Sequence, residues 1–204
     1  MPHIPLNIAQ IVEYGRTIHG RAPVTSWNSD GPETTTFTAI AARASALAHA
    51  LRDELGIDGD QRIATLMYNC AEHFEVFLGV ASMGAVFQPL NKQLMPDQIV
   101  HIINHADDQV IIADPTEIEL LAEVLPHCPR VRAVIIIGIG DLSDVAEQLP
   151  AGIPWYSYES LIDGRPSRFD WPELDENSGA AMCYSTGTEG APKGCLLYTS
   201  DAAD

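Results

Sequence analysis

Positive charge is scarce in this 204-residue chain: 11 Lys and Arg stand against 28 Asp and Glu, a formal net charge of -17 at pH 7. A field of that sign repels phosphate backbones and anionic lipid, so nucleic acid and membrane-surface binding are disfavoured and any nucleotide must be held by a local site. Long apolar runs are missing as well. The longest strongly apolar run, Val131 to Gly140, is far shorter than the ~20 residues a spanning helix needs, which argues against stable membrane insertion. Met1-Pro2-His3-Ile4-Pro5 has no basic segment leading into an apolar stretch, and the expectation is a cytoplasmic protein. The four cysteines, Cys70, Cys128, Cys183 and Cys195, show no Cys-x-x-Cys spacing. That fits reduced core thiols without chemistry better than a disulfide frame or a zinc site. Repeats and low-complexity tracts are also absent. What remains, 46% apolar and 19% charged residues, is the composition of a chain able to bury a sizeable core.

The apolar pattern alternates between two periods. From Phe37, with Thr38 as candidate cap, Ile40, Leu47, Leu51 and Leu55 fall on one helical face and Gly56 offers a left-handed stop. Arg62 to Tyr68 reads as a buried strand, and Asn69 as the cap of a helix striped by Phe74, Phe77, Leu78 and Ala81 that Gly84 closes. A strand at Ala85 to Pro89, a helix opening at Pro96, a strand at Val110 to Ala113, a helix opening at Pro115 and a strand at Val131 to Ile137 follow. Such alternation predicts the α/β class, with a mainly parallel sheet and flanking helices. Residues 23–37, with Asn28-Ser29-Asp30-Gly31 between two short runs, suggest an edge hairpin.

Residues 165–179, polar and bearing Pro166 and Pro172, read as a linker between a first α/β subdomain (1–164) and the start of a second (180–194). The string from Cys195 to Asp204 breaks the style of the preceding text. It resembles one reading frame of a sequencing adapter, and the expectation is that residues 195–204 are a non-native tail.

The strand Ala180 to Tyr184 runs into Ser185-Thr186-Gly187-Thr188-Glu189-Gly190-Ala191-Pro192-Lys193-Gly194. Glycines let a backbone approach polyphosphate, hydroxyls donate to phosphate oxygens, and lysine supplies a mobile positive charge. A Walker A loop is excluded, because Pro192 stands where that motif requires a glycine followed by Lys and Ser or Thr. The string instead resembles the phosphate-loop signature of the adenylate-forming, or AMP-binding, superfamily, Thr-Ser-Gly-Thr-Thr-Gly-x-Pro-Lys-Gly. The likeness covers most of residues 1–194. Phe37-Thr38, Gly59-Asp60-Gln61-Arg62-Ile63-Ala64, Gly84-Ala85-Val86 and Pro89-Leu90-Asn91 look like the family's amino-terminal landmarks, in the family's order. Within the family, Phe169 to Asn177 followed by Ala181 to Tyr184 is most similar to bacterial medium- and long-chain fatty-acyl-CoA synthetases and their methylthiopropionate-using relatives. Two departures stand out. Ser185 and Thr186 are in reversed order, and Glu189 replaces the second threonine, placing a carboxylate that magnesium or Lys193 must screen beside triphosphate.

The resemblance implies a fatty-acid-CoA ligase using ATP, Mg2+ and coenzyme A: a carboxylate attacks the α-phosphate, pyrophosphate leaves, and the CoA thiol displaces AMP from the acyl-adenylate. Ser185, Thr186, Gly187, Thr188, Glu189, Gly190 and Lys193 are then the nucleotide-binding residues, holding the phosphates that become the leaving group. The family's remaining active parts lie downstream: an aromatic-Gly-Thr-Glu segment, an aspartate on the ribose, and a lysine in a mobile carboxy-terminal domain. The implied picture is an incomplete large domain without catalytic residues or metal ligands of its own, inactive alone.

Rival readings attach to other residues. Gly138-Ile139-Gly140 after a strand suggests a dinucleotide-dependent oxidoreductase, although Ser143 occupies the third glycine position. His101 and His105, four apart on a helix, lack the Glu and third ligand of a zinc site and read as a surface or half-buried pair. Phe74, Phe77 and Leu78 read as core, and Asp170, Glu173, Asp175 and Glu176 as a solvated linker. A non-catalytic folded fragment is the third reading.

Overall fold

A computed structural model describes residues 5–28, 31–185 and 191–203, without the side chains of residues 28, 144, 202 and 203. Helix α1 (Ile8–Ile18) precedes an antiparallel hairpin of β1 (Pro23–Asn28) and β2 (Gly31–Thr36). Helix α2 (Phe37–Leu55) follows, and from there strands and helices take turns. These are β3 (Arg62–Leu66), α3 (Ala71–Ser82), β4 (Val86–Pro89), α4 (Pro96–Ala106), β5 (Asp108–Ala113), α5 (Ile118–Val124) and β6 (Ala133–Ile136). Then come β7 (Trp155–Ser157), α6 (Tyr158–Ile162), β8 (Gly179–Ser185) and β9 (Lys193–Tyr198).

Among the described residues the main sheet has seven strands in the order β7-β6-β5-β3-β4-β8-β9, parallel throughout except for the last, which returns antiparallel to β8. The expected mainly parallel sheet with flanking helices is therefore present. The central strands are mostly apolar because both faces are covered, and β6 (Ala133–Ile136) is wholly so. Ile63, Val110, Ile112, Ala133 and Ile135 face α2, α3 and α6. Ala64, Ile111, Ala113, Val134 and Ile136 face α4 and α5. Helix α1 closes a smaller cluster against α2 and α3 through Ile8, Val12, Ile40 and Leu78.

Local capping differs from the sequence expectation in two places. Thr36, not Thr38, caps α2: it ends β2 in extended geometry, and its Oγ1 accepts from the Ala39 amide at 3.3 Å. Cys70, not Asn69, occupies the cap of α3 and makes no side-chain cap bond, while Asn69 Oδ1 pairs with His73 Nδ1 at 3.3 Å. Gly56 does close α2, at φ +59°. Phe74 and Phe77 pack against the core, with Leu78 and Ala81 buried beneath them.

The cysteines need a larger correction. Cys128 is buried and Cys70 half-buried, but Cys183 and Cys195 are exposed, because they lie on a face of the β8–β9 hairpin at the sheet margin. The segment 165–178, mostly irregular, is not uniformly solvated either. Phe169 is buried, and the Trp171 indole donates to Glu13 at 3.2 Å. Residues 195–198 form the rest of β9, and Thr199–Ala203 a short 3-10 turn. No helix of the described residues is long and apolar enough to cross a membrane.

Candidate nucleotide-binding site

In a sheet of parallel strands the loop openings lie at the carboxyl ends, where ligands of open α/β folds sit. Strand β8 runs parallel to β4, with Ala181 beside Phe87, so Ser185 emerges at that end. The chain returns at Lys193, the direct cross-strand partner of Ser185. Opposed residues of an antiparallel pair project to the same side with Cβ atoms ~4.5–5.5 Å apart. The Ser185 hydroxyl and the Lys193 ammonium therefore share one side of the hairpin mouth, and both residues are exposed. Thr186, Gly187, Thr188, Glu189 and Gly190 lie outside the described residues.

One residue further back, Tyr184 points to the opposite face, toward α4. Its hydroxyl lies 2.6 Å from His105 Nδ1, and the two rings meet edge to face at 5.7 Å. Its cross-strand partner is Gly194, where an added Cβ would fall 3.0 Å from Tyr184 Cζ. Burial pushes the Tyr184 phenol up, and nearby Asp108 adds to this against an opposing pull from Arg62. Asp108 is itself fully buried, its carboxyl raised well above the usual range by desolvation, and the Gln88 carboxamide turned nitrogen-first faces both of its oxygens.

A second cleft, of about 710 Å³, opens at the ends of β3 and β5 beneath the β1–β2 hairpin. It lies at the switch point of the sheet, because the chain leaves β3 for β4 on one side and crosses to β5 on the other. Tyr68, Asn69, Asp114 and Trp27 line it, and Asp114 accepts from the Tyr68 amide at 2.8 Å. Lys92, bound to Glu117 at 2.8 Å, sits 3.2 Å above the Tyr68 ring.

Comparison with known proteins now decides the family. The profile of AMP-binding enzymes matches residues 16–203. The chain belongs to the AMP-binding enzyme family.

This AMP-binding chain is 34% identical over 96% of its length to 3-methylmercaptopropionyl-CoA ligase of Ruegeria pomeroyi, covering 36% of that protein. It is likewise 34% identical to the medium-chain-fatty-acid–CoA ligase of Ectopseudomonas oleovorans, over 94% of this chain and 34% of the relative. The chain thus spans about a third of the length of these curated relatives. Two solved structures share its fold. A complex of anthranilate CoA ligase with anthranoyl-AMP superposes with TM-score 0.82 at 23% identity, over 97% of this chain and 36% of that one. The adenylation domain of a carboxylate reductase from Mycobacterium chelonae gives 0.81 at 19%, over 98% and 35%.

Within this AMP-binding fold the other sequence candidates separate cleanly. Gly138 forms a left-handed turn after β6, but a 3-10 turn at Leu142–Asp144 follows where a dinucleotide fingerprint needs a helix amino terminus. The carbonyls of Ile139 and Gly140 are taken by the Ser157 and Ser160 hydroxyls. The oxidoreductase alternative is not favoured. His101 and His105 are exposed neighbours with ring centres 5.7 Å apart, and His105 is engaged by Tyr184. Sequence reading missed that engagement, because the partners are 79 positions apart and neither residue type alone signals it.

Proposed function

We propose that this chain carries the triphosphate-engaging hairpin of an acid–thiol ligase, which activates a carboxylic acid with MgATP and transfers the acyl group to coenzyme A. The observation that carries the reading is Ser185 opposite Lys193 at the exposed mouth of a hairpin, at the carboxyl end of a parallel sheet. A hydroxyl and an ammonium on one side of the hairpin, flanking a glycine-bearing segment, suit the β- and γ-phosphates. Lys193 would offset the negative charge that grows as pyrophosphate leaves, while Ser185 donates a hydrogen bond and fixes direction. Neither acts as a general base. Thr186, Gly187, Thr188, Glu189 and Gly190 complete the loop in this proposal. Magnesium accompanies the triphosphate, and no described residue is assigned to it.

The relatives named for medium-chain fatty acids and for 3-methylmercaptopropionate support a fatty or thioether acid as the substrate class. The acidic composition supports an enzyme without nucleic-acid partners, and a cytoplasmic location belongs to the same proposal. Because the relatives are about three times as long, the 204 residues are expected to bind phosphate without turning over.

Calorimetric titration of the chain with tripolyphosphate and MgATP tests this. Saturable binding is expected, weakened ~10–100-fold by Lys193→Ala, the equivalent of a charge-assisted hydrogen bond of ~1.5–3 kcal/mol. Indifference to Lys193→Ala overturns the reading, and acyl-CoA formation by the chain alone overturns the expectation that it binds without turning over.

A further inference from the structure

We propose that Tyr184 and His105 form a positioning pair that braces the stem of the phosphate hairpin against α4 and so sets where Ser185 and Lys193 present themselves. The inference rests on the phosphate-binding role argued above and assigns the brace behind it.

Tyr184 touches three elements at once. It belongs to β8, immediately before Ser185. Its ring lies across β9 at Gly194, the cross-strand position that has no side chain: a Cβ there would meet Cζ at 3.0 Å and the phenol oxygen at 3.2 Å. Its hydroxyl reaches His105 Nδ1 on the last turn of α4 at 2.6 Å. A half-buried tyrosine whose only task was to cover apolar surface would leave its hydroxyl to water. Here the hydroxyl ends on a side chain of another layer.

The arrangement suits a brace. A phenol can donate or accept, and an imidazole nitrogen can accept or donate, so the contact forms with either tautomer of His105. The helix itself is held firmly: Ile99, Ile102, Ile103 and Ala106 of α4 are buried against the sheet. Movement of the hairpin mouth relative to the sheet must therefore break the Tyr184–His105 contact or slide the ring off Gly194. Alternation along β8 puts Ser185 on the opposite face from the brace, so the pair does not contact phosphate and acts only through the strand that carries Ser185.

The test uses the 204-residue chain with Tyr184→Phe, His105→Ala, His105→Asn and the double variant Tyr184→Phe/His105→Ala. Asparagine places an amide near the position of Nδ1 and serves as the conservative rescue. Hydrogen exchange at the amides of residues 183–185 and 193–197 is read beside tripolyphosphate affinity, with thermal melting as the control. The expected result is faster stem exchange by 5-fold or more and 5–20-fold weaker tripolyphosphate binding in Tyr184→Phe and in His105→Ala. Melting should move little, His105→Asn should return toward the parent, and the double variant should be no worse than either single one, because all remove the same contact.

Parent-like exchange in both single variants, or effects that multiply in the double variant, overturn the pair. So does faster exchange with unchanged tripolyphosphate affinity, which marks a merely structural contact. If the parent chain binds no tripolyphosphate, the phosphate-binding reading fails by itself. The exchange data then still decide whether the contact braces the stem.

Discussion

A polar network that reaches from the surface into the core offers a quantitative test. Tyr158, fully buried on α6, donates its hydroxyl to Glu75 Oε2 at 2.8 Å, and Glu75 Oε1 accepts from Arg43 Nε at 2.8 Å. The Arg43 guanidinium continues to both Glu159 oxygens at 2.6 and 3.0 Å, so the network ties α2, α3 and α6 together. Tyr158→Phe removes one oxygen and leaves the ring volume in place. The buried Glu75 carboxylate, whose side chain is 3% exposed, then loses one of its hydrogen bonds. A hydrogen bond to a charged group is worth ~1.5–3 kcal/mol, and water cannot easily replace it at this depth. At ~2–4 °C per kcal/mol for a chain of this size, melting should fall by ~3–12 °C at neutral pH.

The pH dependence has a defined sign. Burial raises the Glu75 carboxyl above its ordinary value, while Arg43 and Tyr158 hold it down. Without the Tyr158 hydroxyl the folded-state value rises further. A raised carboxyl contributes stability that is present below the unfolded-state value and is lost as pH climbs through the folded one. The deficit of Tyr158→Phe relative to the parent should therefore be largest at neutral pH and shrink as pH falls toward the ordinary carboxylate range. Thermal unfolding followed by circular dichroism at pH 7 and pH 5 measures both effects. A melting temperature within 1 °C of the parent at pH 7, or a larger deficit at pH 5, refutes the reasoning.

Three further outcomes are expected. Asp108→Asn removes a buried carboxyl whose folded-state value is raised, chiefly by desolvation, so the variant should gain stability over the parent increasingly as pH rises above the usual carboxylate range. Parallel pH profiles of melting count against it. Gly79→Ala pushes a Cβ to 2.9 Å from the Ala44 backbone oxygen at the crossing of α2 and α3, and overpacking there should cost ~1–3 kcal/mol in urea unfolding; an unchanged midpoint refutes it. Cys183 and Cys195, exposed cross-strand partners, should join under diamide with a loss of two hydrogens by mass spectrometry. Cys128 and Cys70, pushed up by burial to about 11 and about 12, should stay reduced, and a mass unchanged by the oxidant sinks the pairing.

Much of the architecture was readable along the chain because its causes are local. The largely apolar runs at Ile63–Leu66 and Ala133–Ile136 are what strands covered on both faces require, and Gly56 supplies the left-handed stop of α2. Pro96 opens α4 as its fixed φ and missing amide hydrogen dictate. Where two similar residues competed, sequence alone misplaced the detail. Thr36 and Thr38 both offer hydroxyls to a helix start, and the end of β2 decides between them. Cys183 reads as core by its neighbours, yet it is exposed because its side of the hairpin lies at the sheet margin.

The candidate site divides in the same way. The phosphate-binding reading of Ser185 to Lys193 comes from residue types alone, because glycine, hydroxyl and lysine close together after a strand are what a polyanion requires. Strand order decides where the two ends of that segment, Ser185 and Lys193, stand. Placing β8 beside β4, across the sheet from β5 and β6, rests on contacts between segments nearly a hundred residues apart, which no periodicity records. The Tyr184–His105 contact and the cleft between β3 and β5 exist only once those layers are assembled. Composition and local pattern determined the class of fold and the phosphate-suited residue types between Ser185 and Lys193, since these depend on each residue and its near neighbours. Packing alone decided that Tyr184 meets His105 and that Ser185 stands opposite Lys193, since that depends on which surfaces the assembled sheet and helices bury against each other.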